Sequence, residues 1–133
     1  MYKRQLNSRL RKLLATEEMD LEKVRKLLEE ARSGNLKLES TTLEYTFRLT
    51  IESLFERFSK EPSDPARIER LEAIIETARK LPFDVVLWTA QNVWAGMRRT
   101  VYQEVGQREQ LGDEEARSWL HHFRSLGEKL GCA

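Results

Sequence analysis

The sequence predicts an all-α protein, a helical bundle of about six amphipathic helices with no β-sheet. Three observations predict it. Apolar residues recur three and four positions apart along nearly the whole chain, the spacing of one face of an α-helix. Only 3 Pro and 6 Gly interrupt 133 residues, and no turn dipeptide lies between alternating apolar residues as a hairpin would require. Charged residues make up 34% of the chain and hydrophobic ones 40%, which suits helices with one wet face and argues against disorder, collagen or a β-sandwich.

Each element follows from its own stripe and its own ends. Leu6, Leu10, Leu13 and Leu14 share one face of a first helix that starts near Tyr2. Asp20 caps a second, because its carboxylate accepts from free backbone N–H groups. Leu21, Val24, Leu27, Leu28 and Ala31 line that helix until Ser33-Gly34-Asn35 stops it. Thr41, with Glu44 three residues later, reads as a capping box for a third helix carrying Leu43, Phe47, Ile51, Leu54 and Phe58, which ends before Pro62. Asp64 and Pro65 open a fourth as N-cap and first helical residue, and Ile68, Leu71, Ile74, Ile75, Ala78 and Leu81 form its stripe. Pro82 ends that helix, and Asp84 caps a fifth that runs to about Val105 and continues irregularly past Gly106. Gly112-Asp113 opens the sixth, with Ala116, Trp119, Leu120, Phe123, Leu126 and Leu130 on one face before Gly131. Residues 1–38 then make an N-terminal helical hairpin docked on a core bundle of residues 39–133, one compact domain. Trp94, Phe47, Ile51, Leu54, Ile75, Met97, Trp119 and Phe123 are the expected core.

Charge and cysteine content exclude several classes. Lys plus Arg total 23 and Asp plus Glu 22, so no overall field draws the chain to nucleic acid or to an anionic membrane. The one cysteine, Cys132, has no partner for a disulfide. The N-terminal stretch lacks the apolar run of a signal peptide, and Val85–Trp88 is too short to span a bilayer. The chain reads as soluble, intracellular and cytoplasmic.

Chemistry has few handles. His121 and His122 are adjacent, so they point about a hundred degrees apart and cannot chelate one ion. They read as a solvated or boundary pair, with no metal, cofactor or catalytic residue implied. Glu69, Glu72 and Glu76 have the spacing of an exposed helical face paired with Arg67, Arg70, Arg79 and Lys80. Lys3, Arg4, Arg9, Arg11 and Lys12 share the first helix with its leucines and no acid. Acids follow at once from Glu17 to Asp20, so we read an ordinary amphipathic helix docked on its leucines rather than a membrane or RNA binder.

The fifth helix is unusual. Val86, Ala90, Val93, Trp94, Met97 and Val101 gather on one side, while Trp88, Gln91, Arg98 and Tyr102 stand on the far side with Asn92 and Arg99 flanking. Such a helix either lies between two packed layers, its amides tying loops, or exposes a polar-aromatic surface. A surface of that kind suits sugar or peptide, and sugar fits it because an aromatic face stacks on C–H groups while amides and Arg satisfy hydroxyls. Trp88, Gln91, Asn92, Arg98 and Tyr102 are therefore the candidate sugar-binding or docking residues.

At this helix the sequence also resembles a known family. The run Leu81-Pro82-Phe83-Asp84-Val85-Val86-Leu87-Trp88-Thr89-Ala90-Gln91-Asn92 is preceded by Asp64-Pro65. Gly112-Asp113-Glu114-Glu115-Ala116 and the stretch His122 to Gly131 follow it. Together these resemble the C-terminal helical region, a domain of unknown function, of bacterial proteins related to glycoside hydrolase family 57. The similarity covers residues 40–131, and Val93-Trp94 departs from the family's aromatic pair. The resemblance implies a non-catalytic ancillary domain that packs on a catalytic barrel of the same or a neighbouring protein and helps line its cleft. It implies a parent that acts on α-glucan as hydrolase or transferase, whose catalytic carboxylates lie in the barrel and have no counterpart here. The alternative expectation is a free-standing helical interaction protein that binds a partner helix or forms homo-oligomers.

Overall fold

The computed structural model describes residues 2–132. Among them are seven α-helices and no strand: α1 (Lys3–Leu14), α2 (Leu21–Ser33), α3 (Ser40–Lys60), α4 (Pro65–Lys80), α5 (Trp88–Arg99), α6 (Val101–Gln110) and α7 (Glu114–Leu130). The all-α expectation holds. Two compact units divide the chain, one of Met1–Ile51 with Thr77–Val86 and one of Glu52–Glu76 with Leu87–Ala133, the boundary falling within α3 and α4.

In the first unit α1 packs on α2, and Leu6, Leu10, Leu14, Met19, Val24 and Ala31 are buried together with Leu43, Phe47 and Ile51 of α3. Asp20 caps α2 as expected, accepting the Lys23 N–H at 3.1 Å. The helix ends in a way the sequence did not suggest. The Leu36 N–H reaches back to the Ala31 carbonyl at 2.8 Å, and the residue that turns left-handed is Asn35 (φ 52°), not Gly34 (φ −86°). Asparagine tolerates this conformation better than other non-glycine residues. The following connection is fastened by Asn7, a buried polar residue of α1. Its Nδ2 donates to the carbonyls of Lys3 and Lys37 at 3.0 and 3.1 Å, and its Oδ1 accepts the Glu39 N–H at 2.8 Å.

The start of α3 corrects the expected capping box. The Leu43 N–H bonds to the Glu39 carbonyl, so Ser40 is already helical and Thr41 is not the cap. Glu44 is used elsewhere: its carboxylate accepts from Arg48 Nε at 3.2 Å and from the Val86 N–H at 3.0 Å. Along α3 the buried stripe passes through Phe55 rather than Leu54, which is half-buried.

In the second unit the core is aromatic. Phe123 of α7 lies between two parallel indoles, Trp94 at 4.9 Å and Trp119 at 4.8 Å between ring centroids, with interplanar angles of 12° and 11°. Phe58 and Tyr102 close on the edges of this stack. Both indole N–H groups are satisfied inside the unit, Trp94 by the Phe123 carbonyl at 2.9 Å and Trp119 by the Pro62 carbonyl, as burial of an indole requires. The ends of the helices follow the expected chemistry. Asp64 accepts the Ala66 N–H at 3.0 Å at the start of α4, and Asp113 accepts the Ala116 N–H at 3.2 Å at the start of α7. Gly112 (φ 89°) and Gly131 (φ 79°) supply the left-handed turns before and after α7.

The expected fifth helix is two helices, and it starts late. Residues 84–87 are irregular; the first bond of α5 runs from the Gln91 N–H to the Leu87 carbonyl at 2.9 Å, so Asp84 caps nothing. Val86, assigned to the buried stripe, lies outside the helix and is 54% exposed. Thr100 (φ −121°, ψ −80°) then breaks the chain between α5 and α6, well before Gly106.

Candidate functional site

The candidate residues of α5 and α6 divide into those that complete the structure and those left in water. Trp88 is the first residue of α5 and is 70% exposed. Asn92, one turn later on the same face, is also exposed. Gln91 is instead committed to packing. Its Nε2 donates to the Leu130 carbonyl at 2.8 Å and thereby satisfies one of the open carbonyls at the end of α7. Arg98 is exposed, with its guanidinium carbon 5.8 Å from the centroid of the Trp94 ring, a stacking that covers one side of the buried indole. Tyr102, on α6 beyond the Thr100 break, packs on Phe123, and its hydroxyl accepts from Arg124 Nε at 3.1 Å. Trp88 and Asn92 form the open part of the face, whereas Gln91 ties α5 to α7, Tyr102 ties α6 to α7, and Arg98 stacks on Trp94 within α5.

The N-terminus of α5 has its own anchor. No side chain caps it, but Thr89, in its first turn, donates its hydroxyl to Glu52 at 3.0 Å. Trp88 stands next to this fixed point, so its indole is presented from a held backbone.

A second cluster was missed by the sequence reading. Glu72 of α4 was expected on a solvated face with Glu69 and Glu76, but it is 9% exposed. His122 of α7 faces it: Nε2 lies 3.0 Å from Glu69 Oε1, and Nδ1 3.4 Å from Glu72 Oε1. Lys129 completes the group at 3.6 Å from Glu72 Oε2 and 3.7 Å from Glu76 Oε1. The Nδ1 contact is poorly aligned for a hydrogen bond, so Glu72 Oε1 is a buried acceptor without a hydrogen-bond donor. His122 is thus a boundary residue with carboxylates on both sides, while His121 is exposed. What the sequence could not supply was the pairing of α4 with α7, which alone brings these side chains together. Among the described residues no group of histidine, cysteine and carboxylate has the geometry to hold a metal ion, and no helix is long and apolar enough to cross a membrane.

Comparison with protein-family models, with curated proteins and with solved structures finds no match to this chain.

Proposed function

We propose that the chain is a non-catalytic ancillary helical domain of a carbohydrate-active protein like those of glycoside hydrolase family 57, and that the Trp88 face of α5 meets a catalytic barrel or the α-glucan in its cleft. The observation that carries this reading is the exposure of Trp88, the tryptophan of the motif Leu87 to Asn92. An indole 70% exposed leaves on the order of 100–150 Å² of largely apolar surface in water, which at about 25 cal/mol per Å² forgoes about 3 kcal/mol of burial. A barrel surface or a sugar ring stacked on the indole recovers part of it. Asn92 beside it offers an amide donor and acceptor to hydroxyls or backbone.

The test is titration of the chain with maltooligosaccharide, and separately with a family 57 barrel domain, followed by amide and indole chemical shifts. Shifts concentrated on Trp88 and Asn92, lost in Trp88→Ala without a change in melting temperature, are expected. No response to either ligand overturns the reading. Starch turnover by the isolated chain that a point substitution abolishes would overturn its non-catalytic part. A concentration-dependent mass in light scattering, abolished by Trp88→Ala, would assign the same face to self-association instead.

A further inference from the structure

The hairpin of α1 and α2 carries a surface that the reading above does not use. Between the two helices lies a cleft of about 470 Å³ floored by Leu13 and Leu27. Arg9 and Lys12 of α1 stand on one rim, and Lys23 and Lys26 of α2 on the other. All four are exposed, and Lys26 also acts through its charge on Glu22, which Arg25 already pairs. The arginines of α2 are both paired, Arg25 with Glu22 and Arg32 with Glu29. Glu30 is the sole acid lining the cleft, in a chain whose net charge is only +1. Four cations against one acid therefore line a groove with a leucine floor.

We propose that this cleft docks an acidic amphipathic segment of a partner protein, a helix that places one apolar side chain on Leu13 and Leu27 and glutamates or aspartates on both rims. Each rim presents two cations three residues apart, the spacing at which carboxylates recur along a facing helix. The apolar floor decides between this partner and the other anions. Phosphates of a nucleic acid gain nothing from leucine, and no aromatic residue lines the cleft to stack a base. A bilayer needs an apolar face to insert, but Leu6, Leu10 and Leu14 of α1 are at most 1% exposed.

The probe is a short fluorescein-labelled helical peptide of glutamates with leucines three and four apart, measured by anisotropy and by amide shifts on the intact chain. We expect saturable binding with shifts confined to α1 and α2. We expect affinity to fall about tenfold or more in Lys12→Glu/Lys23→Glu and in Leu13→Ser, and to weaken as salt shortens the Debye length from about 10 Å at 0.1 M. Rim and Leu13 side chains are not core, and unchanged circular dichroism melting of each variant confirms that the fold is kept. The proposal is overturned if the peptide does not bind, or if the same peptide with serine for leucine binds equally well. Variants that bind like the parent chain overturn it too, as does binding of phosphatidylserine vesicles or single-stranded DNA in preference to the peptide.

Discussion

Gly127 is the residue on which the aromatic core of the second unit depends. A Cβ at this position would lie 2.2 Å from Cζ2 of Trp94, 2.6 Å from Cε2 and 2.9 Å from Cη2, where carbon atoms meet comfortably at about 3.5–4.0 Å. The indole would have to retreat by about 1.3 Å. It is stacked on Phe123 and tied through Nε1 to the Phe123 carbonyl at 2.9 Å, so a retreat of that size breaks the hydrogen bond. Overpacking costs about 1–3 kcal/mol, and a buried donor left without its acceptor about 1–3 kcal/mol more. Alanine in mid-helix returns about 1 kcal/mol of propensity. Gly127→Ala should therefore destabilise the protein by about 3 kcal/mol, or about 10 °C in melting temperature for a chain of this size. Urea denaturation measures it, and the near-ultraviolet circular dichroism of the stacked indoles should weaken in step. Because the cost arises against one ring, Gly127→Ala made in a Trp94→Phe background should cost much less, a coupling of about 2 kcal/mol in the double-mutant cycle. If Gly127→Ala is as stable as the parent chain, or gains the alanine propensity, the packing of α5 on α7 is not as described.

Four further outcomes check other parts of the structure. Asn7→Ala removes the side chain that holds Lys37 and Glu39 and should cost about 2–3 kcal/mol; hydrogen exchange of the Glu39 amide should accelerate, and unchanged protection would refute the assignment. Trp119→Ala should cost about 3–5 kcal/mol in urea melts, and a loss below about 1 kcal/mol would show that its ring is not core. His122→Ala should cost more than Glu69→Ala in the same assay, because it leaves the Glu72 carboxylate (side chain 11% exposed) with Lys129 alone whereas Glu69 is 60% exposed; equal losses would show that the Glu72 contact contributes nothing. Asp113 has its pKa held below the ordinary 3.8 by the Ala116 N–H and by Arg108. Its contribution is then complete above that value and is lost as the pH falls through the lower folded one, so the stability difference between the parent chain and Asp113→Asn should shrink on acidification below about pH 4. A difference that grows there contradicts the cap.

How much of this was legible in the sequence depends on whether the deciding interaction is local. Asp20, Asp64 and Asp113 bond to N–H groups two or three residues away, and all three caps were readable from position alone. The stripes of α4 and α7 depend only on helical periodicity and are buried throughout, while that of α1 is buried at Leu6, Leu10 and Leu14 and leaves Leu13 at the edge. Errors begin where a distant residue intervenes. Asp84 after Pro82 has the form of a cap, but the Val86 N–H is taken by Glu44, 42 positions away, and the backbone there stays irregular until α5 starts at Trp88. Thr100 interrupts α5 and α6 with no proline or glycine beside it, and that break also carries Tyr102 off the face shared by Trp88 and Asn92. Glu72 looks like its neighbours Glu69 and Glu76 until α7 places His122 and Lys129 over it.

The same distinction between committed and uncommitted side chains bears on function. Gln91, Arg98 and Tyr102 carry groups of the right chemistry for sugar, yet the Gln91 amide, the Arg98 guanidinium and the Tyr102 hydroxyl each already serve a contact within the second unit. Engaging a ligand would require them to exchange those contacts, and a hydrogen bond exchanged for another returns little net free energy. Trp88 carries no such obligation. Most of its surface is in water, so any partner that covers it gains the burial in full, less the cost of association. Substitutions at the two kinds of position should consequently differ in what they change. Trp88→Ala should leave stability nearly untouched and remove binding, whereas Gln91→Ala should lower stability by about 1 kcal/mol through the freed Leu130 carbonyl and affect binding only through the position of α5. Chemical unfolding and ligand titration of the two variants separate these roles, and a Gln91→Ala chain of unchanged stability but abolished binding would move Gln91 from the scaffold to the contact surface.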